Sequence, residues 1–442
     1  MRPEWRIGIG LMLFAGVFVS GFFDTLIIQV LGKQEVDREV RMIIASVITI
    51  FLTMMTLATI SSRPPRDYRQ RERPFFEWPL KAIVAFTPMW FVAGIINEWP
   101  ITYILGDVFL IIVMPLTYFI LTRHPLHDPK RIFNWIYGIM IFMAVLSSAL
   151  VVKHNLIDGY QHKMSVDAAV VPTLYIMLKS SPTWGEVLLI PFFILSAALT
   201  SKRSTWGAMI IALAMALVLR PGVKRWARVA FIAAAVGGII LIVADTRPEW
   251  IDHTQSLMAN RLQETREDFT SERGDLGSAS GGRMGEVFGV YDTYEMRENP
   301  VDWVTGLGLG AIVHARGGRT RHHVHSTPAA FLARTGVVGL ALWVLFVLSV
   351  LVYLARHVKR VRTEWLRVQL YFAIAIWISG MVFSLKSQAF WGSVGGGFQL
   401  AYIYHVMRMI QLESPAPVRC AVRRRRVAPQ DHALPASPAP IA

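Results

Sequence analysis

Charged residues are scarce in this chain. Asp, Glu, Lys and Arg make up 17% of its 442 residues, against about a quarter in a soluble domain. Cysteine is reduced to a single residue, Cys420, which excludes an intrachain disulfide. No P-loop is present, and no small-residue cleavage site follows the first apolar segment. That segment therefore reads as a retained helix rather than a removed signal peptide. The scarcity of charge is matched by 54% hydrophobic residues and a mean hydropathy of +0.43. Together these exclude an ordinary soluble domain.

The apolar residues lie in long continuous runs. A helical span needs about 20 apolar residues to cross hydrocarbon. Only helices or closed barrels satisfy the backbone there, and these runs are too long and unbroken for barrel strands. They predict an all-α integral membrane protein with about twelve transmembrane helices. The spans fall at roughly 7–31, 40–60, 79–96, 101–121, 132–152, 164–180, 184–200, 205–220, 227–245, 328–355, 367–385 and 390–410.

The formal net charge is +15. In a soluble protein this would suggest nucleic acid as a partner. In a membrane chain it reads as positive-inside loops, with membrane lipids as the surroundings and no nucleic acid. "SSRPPRDYRQRERP" (61–74), "RHPLHDPKR" (123–131), "RPGVKRWAR" (220–228), "RHVKRVRTEWLR" (356–367) and the tail "RCAVRRRRVAPQ" (419–430) are the basic stretches. With twelve spans all of them fall on one side. That side is expected to be cytoplasmic, with both termini inside.

The opposite side carries one long segment, 246–327, between the ninth and tenth spans. It holds nine arginines, no lysine and twelve acidic residues, as expected of a translocated loop. Within it, 253–269 and 283–300 read as amphipathic helices lying on the membrane or capping a cavity. "GDLGSASGGR" (274–283) reads as a flexible linker between them. The predicted organisation is a transmembrane region at 1–245, a periplasmic loop at 246–327, C-terminal transmembrane helices at 328–412 and a disordered basic tail at 413–442.

Cationic groups gather on that outer face. "LTSKRSTWG" (199–207) is a tight turn holding Lys202 and Arg203. Arg203 either binds an anion or snorkels to headgroups. Arg283 is predicted to open a helix, where free N–H groups and a guanidinium fork suit a phosphate. Its plain alternative is a solvated loop arginine. "GGRTRHHVHSTP" (317–328) brings Arg319, Arg321 and His325 to the mouth of the tenth span. His325 suits a base near neutral pH. It could equally be an ordinary loop histidine, a metal ligand with His323, or part of an electrostatic patch. The neighbouring arginines, and the lack of Cys or carboxylate in the cluster, disfavour a metal.

Weaker signals are "GLGLG" (306–310), read as a turn because no βαβ unit surrounds it, and Asp24 and Lys81, which either line a cavity or are solvated at a span edge. His124 and His127 read as ordinary loop residues.

Three stretches taken together resemble the O-antigen ligase and O-antigen polymerase superfamily. They are "LTSKRSTWGAMIIAL", "GRMGEVFGVYDTYEMRENPVDWVTGLGLG" and "HSTPAAFLARTGVVGLALWVLF", in the family's order. Lys202, Ser204, Thr205 and Arg334 depart from the family pattern, Arg334 standing where an acidic residue is frequent. The resemblance implies a GT-C-type inverting glycosyltransferase of the bacterial inner membrane that needs no metal or other cofactor, with its active site facing the periplasm. The donor would be an undecaprenyl-diphosphate-linked glycan and the acceptor lipid A-core or another glycan. Arg203 and Arg283 would hold the diphosphate, His325 would activate the acceptor hydroxyl, and Arg319 and Arg321 would contact glycan or phosphate. The rival class is a transporter of lipid-linked oligosaccharide. It would spread cations through the spans rather than gather them on one face.

Overall fold

The computed structural model describes residues 74–123, 126, 128–153, 166–199, 203–246, 255–256, 259, 263, 283–315, 319–321, 324–385, 391 and 394–413. The spans expected at 7–31 and 40–60, the linker at 274–282, almost all of the helix expected at 253–269 and the tail beyond Glu413 lie outside them.

Ten apolar helices occupy the ten remaining expected spans. They are α1 (Glu77–Ile96), α2 (Ile101–Thr122), α3 (Pro129–Val152), α4 (Val166–Leu178), α5 (Trp184–Leu199), α6 (Arg203–Leu219), α7 (Val223–Thr246), α10 (Thr327–Val358), α11 (Glu364–Ser384) and α12 (Val394–Glu413). Between α7 and α10 come α8 (Arg283–Arg297), α9 (Pro300–Thr305) and two short strands, β1 (Val313–Ala315) and β2 (Arg319–Arg321). Among the described residues, six helices are long and apolar enough to cross a membrane: α1, α2, α3, α7, α10 and α11. The chain is an all-α, multi-pass membrane protein whose one sheet, among the described residues, is the ribbon β1–β2. Its three-residue strands are too short for an alternating pattern to announce them.

Local chemistry sets several helix starts. Asp128 accepts a bond from Arg131 N (3.2 Å) and Pro129 opens α3, since a first-turn proline loses no helical bond. Thr183 and Glu186 form a reciprocal capping box on α5, Thr183 N to Glu186 Oε2 at 2.8 Å and Glu186 N to Thr183 Oγ1 at 3.3 Å. Asn299 caps α9 through Val301 N (3.1 Å), again with a proline following.

The helices form two packed groups. In one, α1 and α2 pack on each other, α10 packs on α1, and α12 packs on α2. In the other, α3 packs on α4 and α5, α4 packs on α6, and α7 rests against α5. Helix α11 joins the groups, since it packs on α10 and α12 and also on α4 and α6. Trp90, Tyr118, Phe346, Trp377 and Tyr404 are fully enclosed in the shared core.

Contacts also sort the helix ends. Arg220, after α6, donates to Leu178 O at the end of α4 (2.7 Å) and pairs with Glu364 at the start of α11. Arg228 of α7 donates to Lys179 O (3.0 Å) and Ser180 O (2.8 Å). Thr363 bonds Glu413 at the end of α12 (3.0 Å), and Arg356 lies 5.0 Å from the Phe75 ring before α1. The stretches at 220–228 and 356–367 therefore share one face, as the span count requires.

Helix α10 corrects one expectation. It does not run unbroken through 328–355: Gly336 has φ 66° and ψ −166°, and the helix kinks there. The first segment, Thr327–Thr335, belongs to a cap at the opposite end from Arg220. The helix expected over 283–300 forms as α8 but stops at Arg297, with Glu298 at φ 52° before α9 starts at Pro300. Val290 and Tyr294 of α8, Val313 of β1, Val324, and Ala329, Ala330 and Ala333 of α10 form a small core of their own. That core holds the cap together.

Candidate functional site

Four of the five cationic candidates belong to this cap. Arg283 is the first residue of α8. Arg319 and Arg321 lie in β2, opposite Ala315 and Val313 of β1. His325 is half-buried between buried Val324 and buried Ser326, two residues before α10 begins. Pro328 stands in the first turn of α10, as its spacing from His325 predicts. Helix α8 packs on β1 and on α10, so these elements form one continuous unit. Thr293 of α8 ties it to β1 by accepting His314 N at 3.0 Å. The Tyr294 hydroxyl ties it to α10 by donating to Leu332 O at 2.6 Å. Burial, and then the Asp302 carboxylate, push the Tyr294 phenol above the ordinary tyrosine range. It therefore stays a neutral donor.

Arg203 comes from elsewhere. It is the first residue of α6, and α6 packs mainly on α4, α5 and α11 rather than on the cap. Arg220, beyond the last residue of the same helix, sits at the basic face. Arg203 consequently starts the helix at the capped end, and α11, which packs on both α6 and α10, is the element the two share.

The loop "GLGLG" is a docked plug, beyond what the reading as a turn implied. Gly306, Gly308 and Gly310 all have positive φ, at 86°, 84° and 84°, a region that only glycine enters without strain. The plug lies so close to α1 that a Cβ on Gly308 would come within 2.3 Å of Gly94 N. A Cβ on Gly94 would in turn fall 2.3 Å from Leu309 O. Its backbone is bonded to the elements around it. Leu307 N donates to Ala333 O (2.9 Å), Leu309 N to Trp90 O (3.0 Å), and Leu307 O accepts from Asn97 Nδ2 (3.0 Å) and Trp99 Nε1 (2.8 Å).

The last step is ionic. Gly310 N donates to Asp107 Oδ2 at 2.7 Å. The same oxygen receives Arg334 Nε at 2.6 Å, with side-chain exposures of 6% for Arg334 and 0% for Asp107. Span α2, the plug and the first segment of α10 thus meet at one buried carboxylate. Unpaired, either charge would be strongly unfavourable in hydrocarbon. Arg334 lies on the same short helical segment that His325 precedes. Beside it is a cavity of about 20 Å³ lined by Leu110, Thr327, Arg334, Thr335 and Trp391 among others, room for about one water.

Sequence reasoning missed Asp107, although a lone carboxylate inside "ITYILGDVFLIIV" is a recognisable signal. It singled out Lys81 instead. Lys81 is half exposed and pairs with Glu77 one turn earlier at 2.9 Å. Asp24 lies outside the described residues. Among the described residues, no three His, Cys, Asp or Glu side chains are grouped so as to hold a metal ion. No family model matches the chain, and no curated protein matches it.

Proposed function

We propose that this chain is an inverting glycosyltransferase of the O-antigen ligase and polymerase type, with about twelve spans in a GT-C-like arrangement. It would move a glycan from an undecaprenyl-diphosphate carrier to an acceptor hydroxyl on the periplasmic face of a bacterial inner membrane, with both termini cytoplasmic. The acceptor oxygen bonds to the anomeric carbon as the bond from that carbon to the diphosphate breaks. The hydroxyl proton passes to His325. The departing electron pair stays on the diphosphate, whose charge is held by Arg203 and Arg283 in place of a metal. Arg319 and Arg321 contact glycan or phosphate.

The observation that carries this reading is one-sidedness. Arg283, Arg319, Arg321 and His325 come from a single cap at one end of the helices, and Arg203 opens a helix at that same end. A path for a transported substrate would need cations along the spans. Among the described residues, the arginine buried within them, Arg334, is instead paired with Asp107.

Glycan profiling of a deletion strain, complemented with wild type or variants, tests the proposal. Loss of polymer on lipid A-core with build-up on the carrier indicates ligation. Single-repeat products indicate polymerisation. Unchanged glycans refute both. His325→Ala should lower transfer about 10²–10⁴-fold at unchanged membrane abundance. Arg283→Lys should also impair it, because a point charge lacks the bidentate fork. Sensitivity to chelators would favour the metal reading of the histidines.

A further inference from the structure

The basic face holds a cation that its own neighbours leave unsatisfied. Arg220 and Arg228 are turned toward the end of α4 and bond its last carbonyl, Leu178 O, and those of the two residues that follow, Lys179 O and Ser180 O. This suits them, since a helix C-terminus carries partial negative charge. Arg225 sits in the first turn of α7 between the two, near enough to feel both charges. Glu364 is the carboxylate that acts on Arg225, but it is already taken by Arg220 and Arg367. No carboxylate among the described residues lies within ion-pair distance of Arg225. Its Nε is buried and makes no hydrogen bond. A half-buried guanidinium among like charges calls for an anion from outside the chain.

The surroundings say which anion. Helix α7 is the least buried of the six long spans among the described residues, only 6% buried along its apolar window. Its flank therefore faces lipid. Trp184 and Trp226 beside the cluster are 75% and 59% exposed. Exposed tryptophans at a span end mark the headgroup layer. The first turn of α7 also offers the N–H groups of a helix N-terminus, which favour phosphate oxygens.

We infer that Arg225, flanked by Arg220 and Arg228 at the start of α7, binds the phosphate of an anionic phospholipid headgroup. The site is separate from the cap at the other end of the helices and does not depend on the transferase reading.

The test uses the full-length protein, delipidated in detergent and then offered phosphatidylglycerol or phosphatidylcholine, with bound lipid counted by native mass spectrometry. Wild type should retain phosphatidylglycerol in preference to phosphatidylcholine. Arg225→Gln should weaken that retention about tenfold, the loss expected for one charge-assisted bond. Arg225→Lys should recover part of it, because the charge remains but the fork does not. Equal retention of the two lipids by wild type overturns the inference, and this needs no variant. So does undiminished phosphatidylglycerol binding by a folded Arg225→Gln protein. Millimolar inorganic phosphate forms the second arm. If it raises the thermal midpoint of wild type but not of Arg225→Gln, and lipid does not, the site serves free phosphate and the lipid assignment is wrong.

Discussion

The two ends of the helical bundle handle charge in opposite ways. At the basic face, Arg220 and Arg228 lean on helix-terminal carbonyls, and Glu364 is 42% exposed at its side chain. At the capped end, Arg334 and Asp107 are almost wholly enclosed and pair at 2.6 Å. The first arrangement suits the headgroup layer, where water and lipid phosphates remain available to every cation. The second uses one cation and one anion, placed far apart in sequence, to fasten a backbone segment against two spans. Ionic groups near the headgroups are adjustable, whereas an ionic group inside the bundle acts as a joint.

Substitutions at the two ends should separate accordingly. Arg334→Ala leaves Asp107 enclosed without its guanidinium and should destabilise the protein by about 3–5 kcal/mol. A thermal scan in detergent would show it, and a loss below about 1 kcal/mol would mean the joint is not ionic. Gly308→Ala comes next. It forces a side chain into a left-handed conformation, at about 1–3 kcal/mol, and into the backbone of α1 as well. Limited proteolysis near residue 308 should increase with it, and unchanged protection would show that the plug is looser than its hydrogen bonds indicate. Arg220→Ala should be the mildest, at about 1 kcal/mol or less, because it removes a helix-end contact and a pair with a partly exposed carboxylate. A loss as large as that of Arg334→Ala would erase the distinction between the ends.

Much of the helical framework was legible, because a span must be about 20 apolar residues long whatever it packs against. Basic loops at 220–228 and 356–367 fell together for a similarly general reason. The cap was harder to read. Arg283 and Pro328 carried the ordinary signals of helix starts and did open α8 and α10. The break at Gly336 left no trace, since it lies within a continuous apolar run, and the backbone that leaves no room there for a Cβ, which would fall 2.4 Å from Val304 O, is brought in only by the fold. In "GLGLG" the glycine spacing was visible but its purpose was not, because the backbone it approaches belongs to α1. Asp107 was passed over although it is a lone carboxylate in an apolar run, and its partner Arg334 stood out only as a departure from a family pattern. Only the fold joins them.

The plug has a bearing on biogenesis. Gly310 is 203 residues from Asp107, and Leu307 is 210 residues from Asn97. During synthesis α1 and α2 enter the bilayer, and α3 to α7 follow, before the segment that fills the slot between them has left the ribosome. Through that interval Asp107 waits in the lipid phase without its guanidinium. A nascent chain halted before Arg334 should therefore be a preferred substrate for membrane quality control, more so than one halted after it.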